Sequence, residues 1–285
     1  MILDTAQLLS IPFISVLDQK EHSFLLYLPP GYDQSDSQCW PLILFLHGNG
    51  ERGNGRDELN YILCHGPLYE AWIQKRDLPF VMISPQLPMF NMDCNGDIHL
   101  QTRTPEMIPT RLSKGVMSRS PGLRPQDPMD CKPAITDMKN VPPLLPFGWE
   151  QVEADVMGIL RQVLNTYRID RYRIYLTGIS YGGFGTWYLA HRYPQQFAAI
   201  APVAGWGHPE LMAPIAKNNI PLWVFAGGRD EIIHTHHFYA GLNCLEALGH
   251  SNVRFTVHAD MGHDVWRRVY AGEDLFAWFL THRIP

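Results

Sequence analysis

A strand-forming run, Arg173-Ile174-Tyr175-Leu176-Thr177, leads directly into Gly178-Ile179-Ser180-Tyr181-Gly182, and a helix-compatible run, Thr186-Trp187-Tyr188-Leu189-Ala190, follows. A G-x-S-x-G pentapeptide between a strand and a helix demands a very sharp turn. The glycines let the backbone fold that tightly without a Cβ clash, and the serine hydroxyl is lifted clear of the sheet. Alone the pentapeptide says little, since any Gly- and Ser-rich turn can supply it. Here the strand-like approach, the extra glycine at Gly183 and the helical exit favour a nucleophile over a structural turn.

The rest of the chain alternates strand-like and helix-like segments. That pattern predicts an α/β fold, a mostly parallel sheet with helices on both faces. The expected strands are 23–28, 42–46, 80–83, 173–177, 198–203, 222–225 and 254–257. The apolar run Leu42 to Leu46 has no polar alternation, as expected for a strand buried on both faces. Helices are expected at 151–167, where Val152, Val156, Ile159, Leu160 and Val163 share a face, after Ser180, at about 236–248 and at about 265–280.

One stretch breaks the alternation. From Asn91 to Pro146 there is no aromatic residue, and nine of the chain's 23 prolines lie within it. Neither helical nor strand periodicity is sustained there. The expected organisation is one α/β domain over residues 1–285 with a Pro-rich insertion at about 91–146, either a lid or a disordered loop. No internal repeat is evident.

With 46% apolar residues a chain of 285 can bury a sizeable core, and a formal net charge of −5 with interspersed signs excludes a nucleic-acid footprint or a polybasic membrane patch. The cysteines, Cys39, Cys64, Cys94, Cys131 and Cys244, are odd in number and scattered. They suggest neither a disulfide framework nor a zinc-binding pattern, and they favour a reducing compartment. Met1-Ile2-Leu3-Asp4-Thr5 lacks the basic start of a signal peptide, and the apolar runs are too short for a membrane span. A cytoplasmic location is the expectation, and oligomeric state is not legible.

A serine hydroxyl is a poor nucleophile at neutral pH. It needs a base in hydrogen-bond reach, and the base needs an anionic partner to fix its tautomer. In hydrolases built on this kind of turn the order is Ser, acid, His, each after a strand. Asp230 in Gly227-Gly228-Arg229-Asp230 follows the strand at 222–225, and His263 in Met261-Gly262-His263-Asp264 follows that at 254–257. Glu231 and Asp264 are the alternative acids. His258 belongs to its strand and reads as structural. His234, His236 and His237 resemble a metal cluster, but no cysteine or carboxylate motif partners them, so a solvated loop-to-helix junction is expected and no metal ligand is assigned. Two backbone N–H groups should face the oxyanion of a tetrahedral intermediate. One is assigned to Tyr181. The other is assigned to Asn49, with Gly50 as alternative, in the glycine-rich His47-Gly48-Asn49-Gly50-Glu51-Arg52-Gly53. Trp149, Trp206 and Trp266 lie near loops expected at the rim and are candidates for substrate contact, although tryptophans more often pack in the core.

The segments Leu28-Pro29-Pro30-Gly31-Tyr32, His47 to Gly53, His65-Gly66-Pro67, Asp77 to Phe80, Ser84-Pro85-Gln86, Arg173 to Gly183 and Gly262-His263 together resemble one group. That group is the α/β-hydrolase branch of predicted peptidases and phospholipase/carboxylesterases, related to dienelactone hydrolases, feruloyl esterases and polyhydroxyalkanoate depolymerases. The resemblance covers nearly everything outside 91–146. It places Ser180, Asp230 and His263 on the family's triad. It implies ester hydrolysis through an acyl-enzyme on a small-molecule substrate without a metal or organic cofactor, with a peptidase or amidase or an inactive binding module as alternatives. Two positions depart from the family pattern: Asn49, where a small residue is usual, and Tyr181, where Met is usual. The long insertion stands where a short loop is usual.

Overall fold

A computed structural model of the chain describes residues 5–33, 37–94, 98–113 and 128–285. Eight strands form one sheet: β1 (Gln7–Ile14), β2 (Glu21–Leu28), β3 (Trp40–Leu46), β4 (Val81–Ser84), β5 (Ile169–Ile179), β6 (Ala199–Val203), β7 (Leu222–Gly227) and β8 (Val253–His258). Their order is β1-β2-β4-β3-β5-β6-β7-β8. β2 pairs antiparallel with both β1 and β4, and every other pairing is parallel. The seven expected strands fall on β2 to β8, and β1 is additional.

β1 carries little strand signal in its sequence, for a physical reason. Its residues alternate between exposed and half-buried, and Pro12 interrupts the run. A proline is tolerated there because β1 is an edge strand with one neighbour.

β3 shows why its sequence lacks polar alternation. Leu42, Leu44 and Leu46 enter the core on one face of the sheet, while Ile43 and Phe45 enter the core on the other. Each such fully buried side chain contributes roughly 1.5–3 kcal/mol of transfer free energy. The first face is covered by the helix Glu153–Thr166, through Val156, Ile159, Leu160 and Val163, and by the helix Tyr181–Arg192, through Phe184, Trp187, Leu189 and Ala190. The second is covered by the C-terminal helices, through Val269, Tyr270, Phe276 and Phe279. The single C-terminal helix expected at 265–280 is two, Trp266–Ala271 and Asp274–Leu280, broken where Gly272 adopts an extended conformation.

The insertion leaves after β4 and returns at Phe147, just before the turn Trp149–Val152. Residues 95–97 and 114–127 of it lie outside the described residues. Several points of the remainder are docked. Leu100 and Met138 are buried, Arg103 donates to the Gly50 and Arg52 carbonyls, and the Asp130 N–H donates to the Gly228 carbonyl at 2.9 Å. The insertion therefore touches the loop after β3 at one end and the loop after β7 at the other. No helix among the described residues is long and apolar enough to cross a membrane.

Candidate active site

The turn after β5 is as tight as its sequence demands. Ser180 sits at φ 51°, ψ −116°, a left-handed conformation that costs a non-glycine residue about 1–3 kcal/mol. Its neighbours have no room for side chains. A Cβ on Gly178 would lie 2.2 Å from the Gly182 carbonyl oxygen, and one on Gly183 would lie 2.8 Å from that of Val203. The Ser180 N–H donates to Val203 at 2.9 Å, and the Phe184 N–H donates back to Ser180 at 3.1 Å, so the strained residue is held from β6 and from its own helix.

His263 stands in the loop after β8 with Nε2 at 3.0 Å from Ser180 Oγ and Nδ1 at 2.8 Å from Asp230 Oδ2. Asp230 is 2% exposed, and its other oxygen accepts the N–H groups of Ile232 and Ile233 at 2.9 and 2.8 Å. With an ionised Asp230, Nδ1 carries the proton and Nε2 presents its lone pair to the serine, the tautomer a general base needs. The loops after β7 and β8 are pressed together, since a Cβ on Gly227 would meet the Gly262 carbonyl oxygen at 2.1 Å. The edge of Trp266 abuts the His263 ring, 5.1 Å between centroids at 84°.

The alternative acids lie elsewhere. Asp264 faces Arg267 at 3.5 Å, and Glu231 is exposed. His258 ends β8 and stacks on Phe225.

The glycine-rich loop after β3 is built around two buried polar groups. His47 is fully buried. Its Nδ1–H donates to the Gly48 carbonyl at 2.7 Å, and its Nε2 accepts the Leu87 N–H at 2.9 Å. Burial pushes its pKa down to about 3, so it is a neutral strut. Arg52 is also fully buried, and its guanidinium fans out to three acceptors: Asn49 Oδ1 at 2.6 Å, Pro88 O at 2.8 Å and Phe147 O at 2.7 Å. The same group lies over the Tyr181 ring, 4.7 Å from its centroid. One side chain thus joins Asn49, Tyr181 and the two chain segments that flank the insertion. Asn49 opens a short 3-10 turn and Tyr181 opens the helix Tyr181–Arg192, so the N–H of each points outward from the first turn of its helix.

The three tryptophans have different surroundings. Trp149 is 1% exposed and belongs to the core, packed edge-on against His47 with its indole N–H 3.3 Å from the His47 carbonyl; it does not line an open rim. Trp206 packs against Phe184 and stacks over His237. Trp266 lies between the rings of His263 and His65 and touches the candidate base directly.

Of the three clustered histidines, His236 does have a carboxylate partner. It is Asp130 of the insertion, whose Oδ2 lies 2.7 Å from His236 Nδ1 and also accepts the Thr235 hydroxyl and the His236 N–H at 2.9 and 3.0 Å. More than a hundred positions separate these residues in the chain, so no local motif announces the contact.

A model of the prolyl oligopeptidase family (peptidase S9) matches residues 149–213, the stretch from Trp149 through the Ser180 turn. Curated protein sequences yield no match. Among solved structures, a thermostable esterase is 23% identical with a TM-score of 0.66, over 97% of this chain and 63% of that one. A ferulic acid esterase is 14% identical with a TM-score of 0.59, over 96% and 98% of the two chains. An acylaminoacyl peptidase of Pyrococcus horikoshii is 14% identical with a TM-score of 0.57, over 99% of this chain and 42% of that one. The strand order, the turn that carries Ser180 and these likenesses together show an α/β-hydrolase fold.

Proposed function

We propose that the protein is a serine hydrolase that cleaves carboxylic esters through an acyl-enzyme. The observation that carries this reading is the unbroken hydrogen-bond chain from Ser180 through His263 to Asp230. Ser180 Oγ attacks the ester carbonyl as its proton passes to His263 Nε2. The charge that develops on the carbonyl oxygen is held by the N–H groups of Tyr181 and Asn49. His263 then protonates the leaving alcohol, and the same nitrogen removes a proton from the water that releases the acid. Asp230 stabilises the imidazolium at both stages without itself being protonated. Every proton is handled by these side chains, so the sequence of steps calls on no metal.

Ester cleavage is favoured over amide cleavage because the ester carbonyl is less stabilised by resonance and its alkoxide leaves more readily than an amide anion. The structural neighbours named as esterases support that choice. A peptidase with the same triad is the second reading, and the prolyl oligopeptidase match across the Ser180 turn supports it. A fluorophosphonate probe, followed by paired p-nitrophenyl ester and peptide p-nitroanilide assays, tests both. The expected result is stoichiometric labelling of Ser180, abolished in Ser180→Ala, and turnover far faster on esters. Labelling at another serine would overturn the mechanism, and faster anilide cleavage would favour the peptidase.

A further inference from the structure

We infer that Asp130, His234 and His236 form a binding site for a divalent cation of the zinc class, which clamps the insertion to the loop carrying Asp230. The donor atoms of these three side chains lie within 4.8 Å of one another. Two imidazoles and one carboxylate suit zinc, with bonds of about 2.0–2.2 Å and neighbouring ligand atoms about 3.3 Å apart in a tetrahedron. Asp130 Oδ2 and His236 Nδ1 are already 2.7 Å apart, and the His234 ring lies beside that of His236, 5.2 Å between centroids. Binding would replace the proton shared by Asp130 and His236 with the metal and would draw His234 inward.

A plain ion pair would account for Asp130 and His236 but not for the third donor. The surroundings also hold the carboxylate in place. The Thr235 hydroxyl and the His236 N–H both donate to Asp130 Oδ2, the kind of outer hydrogen bonding that orients a ligand before the metal arrives. A cavity of about 310 Å³ opens beside the cluster. It is lined by Asp130, His234 and Glu231 among others, so there is space for an ion and for a fourth ligand from Glu231 or solvent.

The clamp would act on access and not on the chemical step. Asp130 comes from the insertion, and its N–H also donates to Gly228, two residues from Asp230. Ile135, further along the insertion, donates to the His236 carbonyl at 2.9 Å. An ion at this point would fix the second anchor of the insertion; Asp230 also borders the cavity, with its carboxylate held by His263 and by the Ile232 and Ile233 N–H groups.

The test uses the full chain stripped of metal with a chelator and then titrated with Zn²⁺ by calorimetry, with Co²⁺ as a spectroscopic substitute. The expected result is a single equivalent bound, visible Co²⁺ absorption of a tetrahedral N/O site, and slower limited proteolysis within residues 128–146. His234→Gln should weaken binding by at least about tenfold. Its side chain makes no hydrogen bond on which the described fold depends, so it should fold even where Asp130→Asn does not. His22→Gln, remote from the cluster, should bind as wild type does. No stoichiometric binding, or equal binding by His234→Gln and wild type, would overturn the site. Binding that leaves proteolysis of the insertion unchanged would overturn the clamp.

Discussion

Gly182 and Leu46 approach so closely that a Cβ on Gly182 would lie 1.8 Å from the Leu46 carbonyl oxygen. The helix that follows Ser180 is therefore seated directly on the end of β3, where the glycine-rich loop begins. Nothing flexible can yield, because the obstacle is backbone. Gly182→Ala must push β3 and the helix apart. The expected cost is about 1–3 kcal/mol or more, read as a lower urea midpoint. Ester kcat should fall with it, since the displaced strand end carries Asn49. An unchanged midpoint and kcat would show that β3 and the helix can separate at little cost.

Asp230 and Asp264 offer a sharper contrast. Asp230 Oδ2 meets His263 Nδ1, whereas Asp264 faces Arg267. Asp230→Asn should leave the imidazole in the wrong tautomer and lower kcat by about 10⁴-fold. Asp264→Asn breaks only a partly exposed ion pair and should change kcat by less than about tenfold, given the small worth of such pairs. Steady-state kinetics on both variants decide between them, and a larger loss at Asp264 would reverse the assignment.

What could be read from the sequence was local, and what could not was long-range. The run Leu42 to Leu46 and the turn at Ser180 are governed by neighbours a few residues away, so their forms were legible. Asp230 and His263 were legible as strand-end positions, because in a parallel sheet side chains at that edge converge. Arg52 was visible only as one residue of a glycine-rich loop. Its role depends on Pro88, Phe147 and Tyr181, which the loop's sequence does not encode. Asp130 was hidden for the same reason, lying in a stretch without periodicity. Trp149 looked like a rim residue because it follows a Pro-rich segment, yet the close fit of Gly185 against its ring draws it into the core.

Arg52 should be intolerant even of a conservative change. Its planar fork satisfies an Asn49 side chain and two carbonyls at once, in a site fully closed to water. Lysine has no fork and shorter reach, so Arg52→Lys should leave at least one acceptor unpaired, at about 1–3 kcal/mol each. Asn49 would lose its tether, and a shift of about 1 Å in an oxyanion donor can cost on the order of 10²-fold in rate. The expected signature is a fall in kcat with KM little altered, together with a lower melting temperature. A variant with only the stability loss would make Arg52 a purely structural group.

Glu51 gives the loop a dependence on pH. It is 5% exposed, with His65 Nε2 3.7 Å from its Oε1. Burial raises its pKa from 4.5 to about 7, although the N–H groups of Gly48 and of Glu51 itself favour the ionised form. Between those two values the folded chain holds a proton that the unfolded chain has released. Stability from this group is therefore lost as pH rises from 4.5 to 7. Buried His47 works in the opposite sense. Its pKa falls from 6.5 to about 3, so its contribution is lost as pH falls through 6.5, when the unfolded chain takes up a proton and the folded chain does not. Glu51→Gln removes the first dependence and keeps the second. A fixed cost is expected from the amide's unmatched donors, but it does not vary with pH. Relative to wild type, the variant should therefore gain on the order of 2 kcal/mol between pH 5 and pH 8 in urea denaturation. A difference between the two proteins that stays constant across that range would mean that Glu51 is already ionised in the folded loop at pH 5.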